Sequence, residues 1–170
     1  LQITLKSEID KEFSNFKSVT DDVKSVLQHV KYYFPEYEFP KVYTLTSEDY
    51  RKKTILTNNM LLIPLNLYLG ETHEFYEGIP KYLAQTYSKD QIAVDVANEF
   101  ATSIVPQSRD RSFLAKMIYY GKLHYIKRLF VPFKSKAQSL EYTEDQLVWA
   151  NDNEDQIWRY FIERKLLYST

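Results

Sequence analysis

Asn98, Glu99 and Thr102 carry the spacing in this chain that comes nearest to a metal chemistry. In Val96-Ala97-Asn98-Glu99-Phe100-Ala101-Thr102, two polar side chains lie four residues apart with a glutamate beside the first. On a helix those two positions share a face. Two histidines placed there hold zinc, and the glutamate stands next to a metal-bound water. Here the two positions carry an amide and a hydroxyl, weak donors beside imidazole, so the spacing is present without the ligands. Taken alone, a mid-helix glutamate reads as a surface or half-buried residue.

The three histidines do not supply the missing donors. His29 lies in a helical stretch beside Val30, and His124 follows Tyr120 by four residues on another. His73 sits among Glu71, Glu74 and Glu77 in a polar loop whose acids read as solvated. No two of these histidines have chelating spacing. With 3 Gly in the chain there is no phosphate-cradling loop, and no Gly-x-Ser-x-Gly elbow occurs. Cys is 0, which removes disulfides, thiolate ligands and a cysteine nucleophile from the chain as given. The residues therefore name no catalytic side chain, no metal and no cofactor.

Composition narrows the partners. Lys+Arg is 22 against 23 Asp+Glu, so no overall basic excess exists to neutralise a phosphate backbone, and nucleic acid is not an expected partner. At 16% aromatic residues, 15 of them Tyr, the chain suits a helical core first and a wet interaction surface second. The longest apolar run, Met60-Leu61-Leu62-Ile63-Pro64-Leu65, is far short of a membrane span. The chain opens at Leu1 without a signal peptide and reads as a trimmed fragment or mature domain.

The elements that must position these residues follow from periodicity. Residues 7–34 read as two helices with Val19, Val23, Val26 and Val30 on one stripe and a break near Ser18-Val19-Thr20-Asp21. Pro35 and Pro40 end that run. A strand region follows over residues 41–65, with segments at 41–45, 53–56 and 60–65. Thr57-Asn58-Asn59 predicts a hairpin whose asparagines take positive φ. Residues 80–168 read helical. Ser88 with Gln91 predicts a capping box for the helix carrying Glu99, which Pro106 closes, and a further helix covers 112–130. Thr143 with Gln146 predicts a second capping box, staple positions fall at Tyr142 and Leu147, and one or two helices run from there. Ile157 with Phe161 and Trp158 with Ile162 form a broad stripe expected to be buried. The expectation is one α+β domain, residues 1–170, mostly α-helical, with a small strand region in its N-terminal half and a helical C-terminal half.

Three blocks carry a family resemblance. They are Leu67-Tyr68-Leu69-Gly70 with Tyr76-Glu77-Gly78-Ile79-Pro80-Lys81-Tyr82, then Met117-Ile118-Tyr119-Tyr120-Gly121-Lys122, then residues 142–169. Together they resemble the gliding-motility lipoproteins of the GldB family and, more distantly, predicted zincin-type metallopeptidases. The resemblance implies a zincin-like domain whose site has decayed. Asn98 and Thr102 would replace the two histidines, Tyr120 would stand where relatives take a third ligand from Glu-Gly, and Glu99 would be kept. The three substituted side chains are expected to converge between their two helices. The family further implies a non-catalytic envelope lipoprotein of gliding Bacteroidota, on the periplasmic face or at the outer membrane. Its partners would be other envelope and gliding-machinery proteins, and it would meet the membrane through an N-terminal lipid anchor outside this sequence. The alternative is an active zinc metallopeptidase with atypical ligands.

Overall fold

The computed structural model describes residues 2–50 and 52–170. Helix α1, Gln2–Glu12, is followed by α2, Lys17–Tyr33. The break falls earlier than the sequence predicts. Asn15 Oδ1 accepts the Lys17 amide at 3.0 Å and so starts α2, while the Thr20 hydroxyl donates to the Phe16 carbonyl at 3.0 Å inside the helix instead of capping it. Val19, Val23, Val26 and Val30 are buried at helical spacing, as their stripe requires.

Three strands follow: β1, Lys41–Leu45; β2, Ile55–Leu56; and β3, Met60–Pro64. Their order is β1-β3-β2, with β1 parallel to β3 in the register Lys41 to Met60 and β2 antiparallel to it. The central strand buries Leu61 and Ile63, alternating with exposed Met60, so one face of the sheet meets the helices. The hairpin forms without the positive φ expected of Asn58 and Asn59, since Glu141 and Lys165 are the non-glycine residues with positive φ among those described. Thr57 closes it instead. Its amide donates to the Met60 carbonyl at 2.8 Å, and its hydroxyl accepts from the Met60 amide at 3.0 Å.

The helical half begins with α3, Lys81–Ala84, and a 3₁₀ turn at Lys89–Gln91 that leads into α4, Ile92–Ile104. The capping box expected at Ser88 is absent. The tight turn takes the Gln91 amide to the Ser88 carbonyl at 2.9 Å, and the Gln91 side chain is buried instead of reaching back. Ser112 caps α5, Phe113–Phe130, by accepting from the Ala115 amide. Helices α2, α4 and α5 pack together over β3, and Val26, Val30, Phe100 and Phe130 at their junction are fully buried. Phe34 meets Phe130 edge to face at 6.0 Å.

Three short helices complete the chain: α6, Lys136–Leu140; α7, Glu144–Asp152; and α8, Glu154–Glu163. The box predicted at Thr143 and Gln146 is present in full, and Asn153 divides the final helical stretch in two. The burial expected for its stripe is not found. Neither α7 nor α8 contains a buried residue, and Trp158 is 40% exposed. The apolar residues of α8 cover too much of its circumference for one contact. Ile157 and Phe161 turn inward, with Phe161 5.0 Å from Phe113, while Trp158, Tyr160 and Ile162 are left outside. The Phe113 amide donates to the Ser169 carbonyl at 2.8 Å and ties the end of the chain to the start of α5.

Candidate functional site

Asp95, Asn98 and Glu99 occupy one face of α4, at positions i, i+3 and i+4. That face opens on a cleft of about 220 Å³, walled by Lys52, Lys53 and Thr54 ahead of β2 and by Glu141 just after α6. The cleft gathers Lys52, Lys53, Asp95, Glu99 and Glu141, and each of its carboxylates is already held.

Asp95 is the deepest. Its Oδ2 lies 2.9 Å from Lys53 Nζ and accepts the Tyr68 hydroxyl at 2.8 Å, and its Oδ1 lies 3.2 Å from the same ammonium. Lys53 also donates to the Thr86 hydroxyl at 3.0 Å and sits 5.8 Å from the centre of the Tyr87 ring. Burial raises the Asp95 pKa against the opposing pull of Lys53. It raises the Tyr68 hydroxyl well above its usual range, with the Asp95 charge adding to the effect.

Glu99 is half-buried. Its Oε2 accepts the Leu56 amide at 3.3 Å, so the helix is buttoned to the end of the hairpin. Burial raises its pKa, the Leu56 hydrogen bond opposes that, and Asp95 adds to it. On the far wall Glu141 Oε1 is 3.2 Å from Lys127 Nζ, an ammonium whose side chain is 1% exposed. His124, one turn before Lys127, has its pKa lowered by burial first and by Lys127 second, and its Nδ1 is buried without a hydrogen-bond partner among the described residues.

The four positions singled out in the sequence separate here. Asn98 and Glu99 line the cleft. Thr102 is exposed on α4 beyond it, and Tyr120 is 57% exposed on α5, its ring stacked edge-on against Tyr119 at 5.4 Å. Among the described residues, no group of three or more His, Cys, Asp or Glu side chains is placed to hold a metal ion. His73 is taken up locally. Its Nδ1 accepts the Phe75 amide and its Nε2 lies 3.4 Å from Glu8. His29 Nδ1 lies 2.7 Å from the Ser25 carbonyl.

Sequence reasoning passed over Asp95, Lys53, Tyr68 and Glu141. One signal was available for Asp95: it lies in the same stripe as Ile92, Val96 and Phe100, where a carboxylate must find a buried partner. Lys53, 42 residues away, had no such marker.

The sequence model of the family described as gliding motility protein GldB matches residues 1–170, the whole chain. The chain belongs to the GldB family. Neither a curated protein nor a solved structure matches it at a significant level. Membership gives it a role in gliding motility, and the family's lipoprotein character gives it a place at the cell envelope, attached to a membrane. No helix among the described residues is long and apolar enough to cross a membrane itself.

Proposed function

We propose that this GldB-family chain is a non-catalytic component of the gliding apparatus that works by binding other envelope proteins, on the periplasmic face or at the outer membrane. The observation that carries the reading is the surface of α7 and α8. Val148, Trp149, Trp158, Tyr160 and Ile162 are 56%, 61%, 40%, 54% and 62% exposed on helices without a buried residue. Large apolar and aromatic side chains left exposed on two successive helices mark an interaction surface.

The cleft supports the same reading. Asp95 is committed to Lys53 and Tyr68, Glu141 to Lys127, and Glu99 to the Leu56 amide, so its carboxylates serve the fold. Thr102 and Tyr120 lie outside the cleft, so a zincin-like ancestry for the scaffold rests on the family resemblance and not on a shared site.

The test is gliding in cells whose full-length protein carries Glu99→Gln. That substitution keeps the shape and the acceptor for the Leu56 amide but removes a base. Cells should glide normally at normal protein abundance, and the purified protein should carry no stoichiometric zinc. Immotile cells with abundant protein, together with about one zinc per chain, would establish instead an active zinc metallopeptidase with atypical ligands.

A further inference from the structure

The near-neutral net charge of -1 conceals a strong segregation. Residues 106–136 hold eight Lys and Arg with one acidic residue, leaving 14 basic against 22 acidic elsewhere. Between residues 141 and 158 there are six acidic residues and no basic one. Both segments present apolar side chains to solvent, and their shapes differ.

The basic segment contains a groove. Helix α5 lies against the ends of α2 and α4, and Phe34, Ile104, Val105, Ile118, Tyr125 and Ile126 line a concavity of about 590 Å³. Gly121 lowers the α5 wall in its middle, and Lys122 stands on its rim. Ile118 is 51% exposed and Tyr125 68% exposed. Lys122 makes no ion pair among the described residues, so the charge on the rim of the groove is unspent within the chain.

The acidic segment supplies a ridge. On α7, Asp145, Val148, Trp149 and Asp152 fall at i, i+3, i+4 and i+7 and share one exposed helix face, two apolar residues between two carboxylates. Neither aspartate has an ion-pair partner among the described residues.

We infer that the groove on α5 receives α7 of a second copy of this chain, with Val148 and Trp149 seated against Ile118 and Tyr125 and the flanking Asp152 facing Lys122 on the rim. Opposed charges around an apolar centre are the arrangement that fixes register and speeds encounter. Because groove and ridge are different surfaces, the contact is head to tail, and each copy that receives one neighbour still offers its own ridge to the next. This names a partner that the protein-binding reading leaves open, and it stands or falls separately from the question of catalysis.

The experiment is sedimentation of the purified chain over a concentration series, at low and high salt, with two surface variants. Lys122→Glu spoils the groove and Asp152→Lys spoils the ridge. Both positions are exposed, and circular dichroism should show both variants folded. The parent should self-associate, more weakly in high salt. Each variant alone should lose affinity by about tenfold or more, the scale of one reversed charge at an interface. An equimolar mixture should recover self-association, since the intact ridge of Lys122→Glu meets the intact groove of Asp152→Lys and the two reversed charges are again opposite where the remaining surfaces meet. A parent that stays monomeric at every concentration overturns the proposal, as does a mixture no better than its components. Monomers that bind anionic phospholipid vesicles through Lys122 would assign the groove to a membrane surface instead.

Discussion

Replacing Lys53 by Met should destabilise the protein by about 3 kcal/mol at pH 7.5, and acid should restore much of the loss. The Lys53 ammonium is the cationic partner of Asp95, whose side chain is 7% exposed. Removing one member of a buried pair costs about 3–5 kcal/mol, because the remaining charge stays in a medium that solvates it poorly. The low end applies here. Lys53 is itself 18% exposed, so water has some access, and the Tyr68 hydroxyl still donates to Asp95 after the substitution. Methionine keeps the length and apolar stem of lysine, so the loss of packing is small.

The pH dependence follows from the direction of the Asp95 shift. Burial raises its folded pKa above the unfolded value of about 3.9, and Lys53 is the main influence restraining that rise. Between the unfolded and folded values the native state holds more protons than the unfolded chain, so stability falls as pH climbs through that window. Without Lys53 the folded value rises further and the window widens upward. The deficit of Lys53→Met relative to the parent should therefore be full at pH 7.5 and shrink steadily as pH is lowered toward about 4.5. Urea unfolding followed by far-ultraviolet circular dichroism at both pH values measures it. The Lys53→Met, Asp95→Asn double variant should recover most of the loss at pH 7.5 and lose the pH dependence of the deficit. A deficit under about 1 kcal/mol at pH 7.5, or one that is the same at both pH values, would refute the reasoning that Asp95 is ionised and dependent on Lys53.

Two further outcomes follow from the same structure. Trp158→Ala should cost only about 1–2 kcal/mol by urea unfolding, below the 3–5 expected of a core aromatic, because the ring is 40% exposed and rests edge-on against Phe161; a loss of 3 kcal/mol or more would place it in the core after all. His124→Gln should flatten the acid side of a plot of melting temperature against pH. Burial and the nearby Lys127, partly offset by Glu141, lower the His124 pKa, so the unfolded chain takes up more protons below about pH 6.5 and stability is lost as pH falls through that window. An unchanged slope between about pH 6.5 and 5 would remove His124 from that role.

The helices were legible wherever one apolar stripe met one partner surface. Val19, Val23, Val26 and Val30 announce the buried face of α2, and the Thr143–Gln146 box announces the start of α7. Reading failed where a short side chain had two local options. Thr20 bonds back to Phe16 within a helix that it was expected to cap, and Gln91 is buried at a turn where it was expected to reach out. It failed again on α8, where apolar periodicity alone cannot tell a stripe that is buried from one that is offered to a partner. The cleft was legible only in part. The spacing of Asn98 and Glu99 points to it, but the residues that close it, Lys53 and Glu141, arrive from loops whose approach no local pattern encodes.

The two oppositely charged segments are joined at both ends and kept apart between them. Lys127 near the end of α5 holds Glu141 at the start of the acidic stretch, and the Phe113 amide at the start of α5 holds the Ser169 carbonyl at the end of the chain. Residues 141–169 therefore run back along an 18-residue helix of about 27 Å, fixed to it at each end. If the attraction between the segments were satisfied internally, α7 would lie down on α5, with its aspartates paired to lysines and Trp149 covered. Instead Trp149 is 61% exposed, and Asp145, Asp152, Lys116 and Lys122 make no ion pair among the described residues. An apolar ridge and an apolar groove of opposite charge, held in one molecule where they do not meet, remain free to meet between molecules. That arrangement suits a protein tethered to a membrane, where confinement raises the local concentration of neighbouring copies and weak head-to-tail contacts become effective.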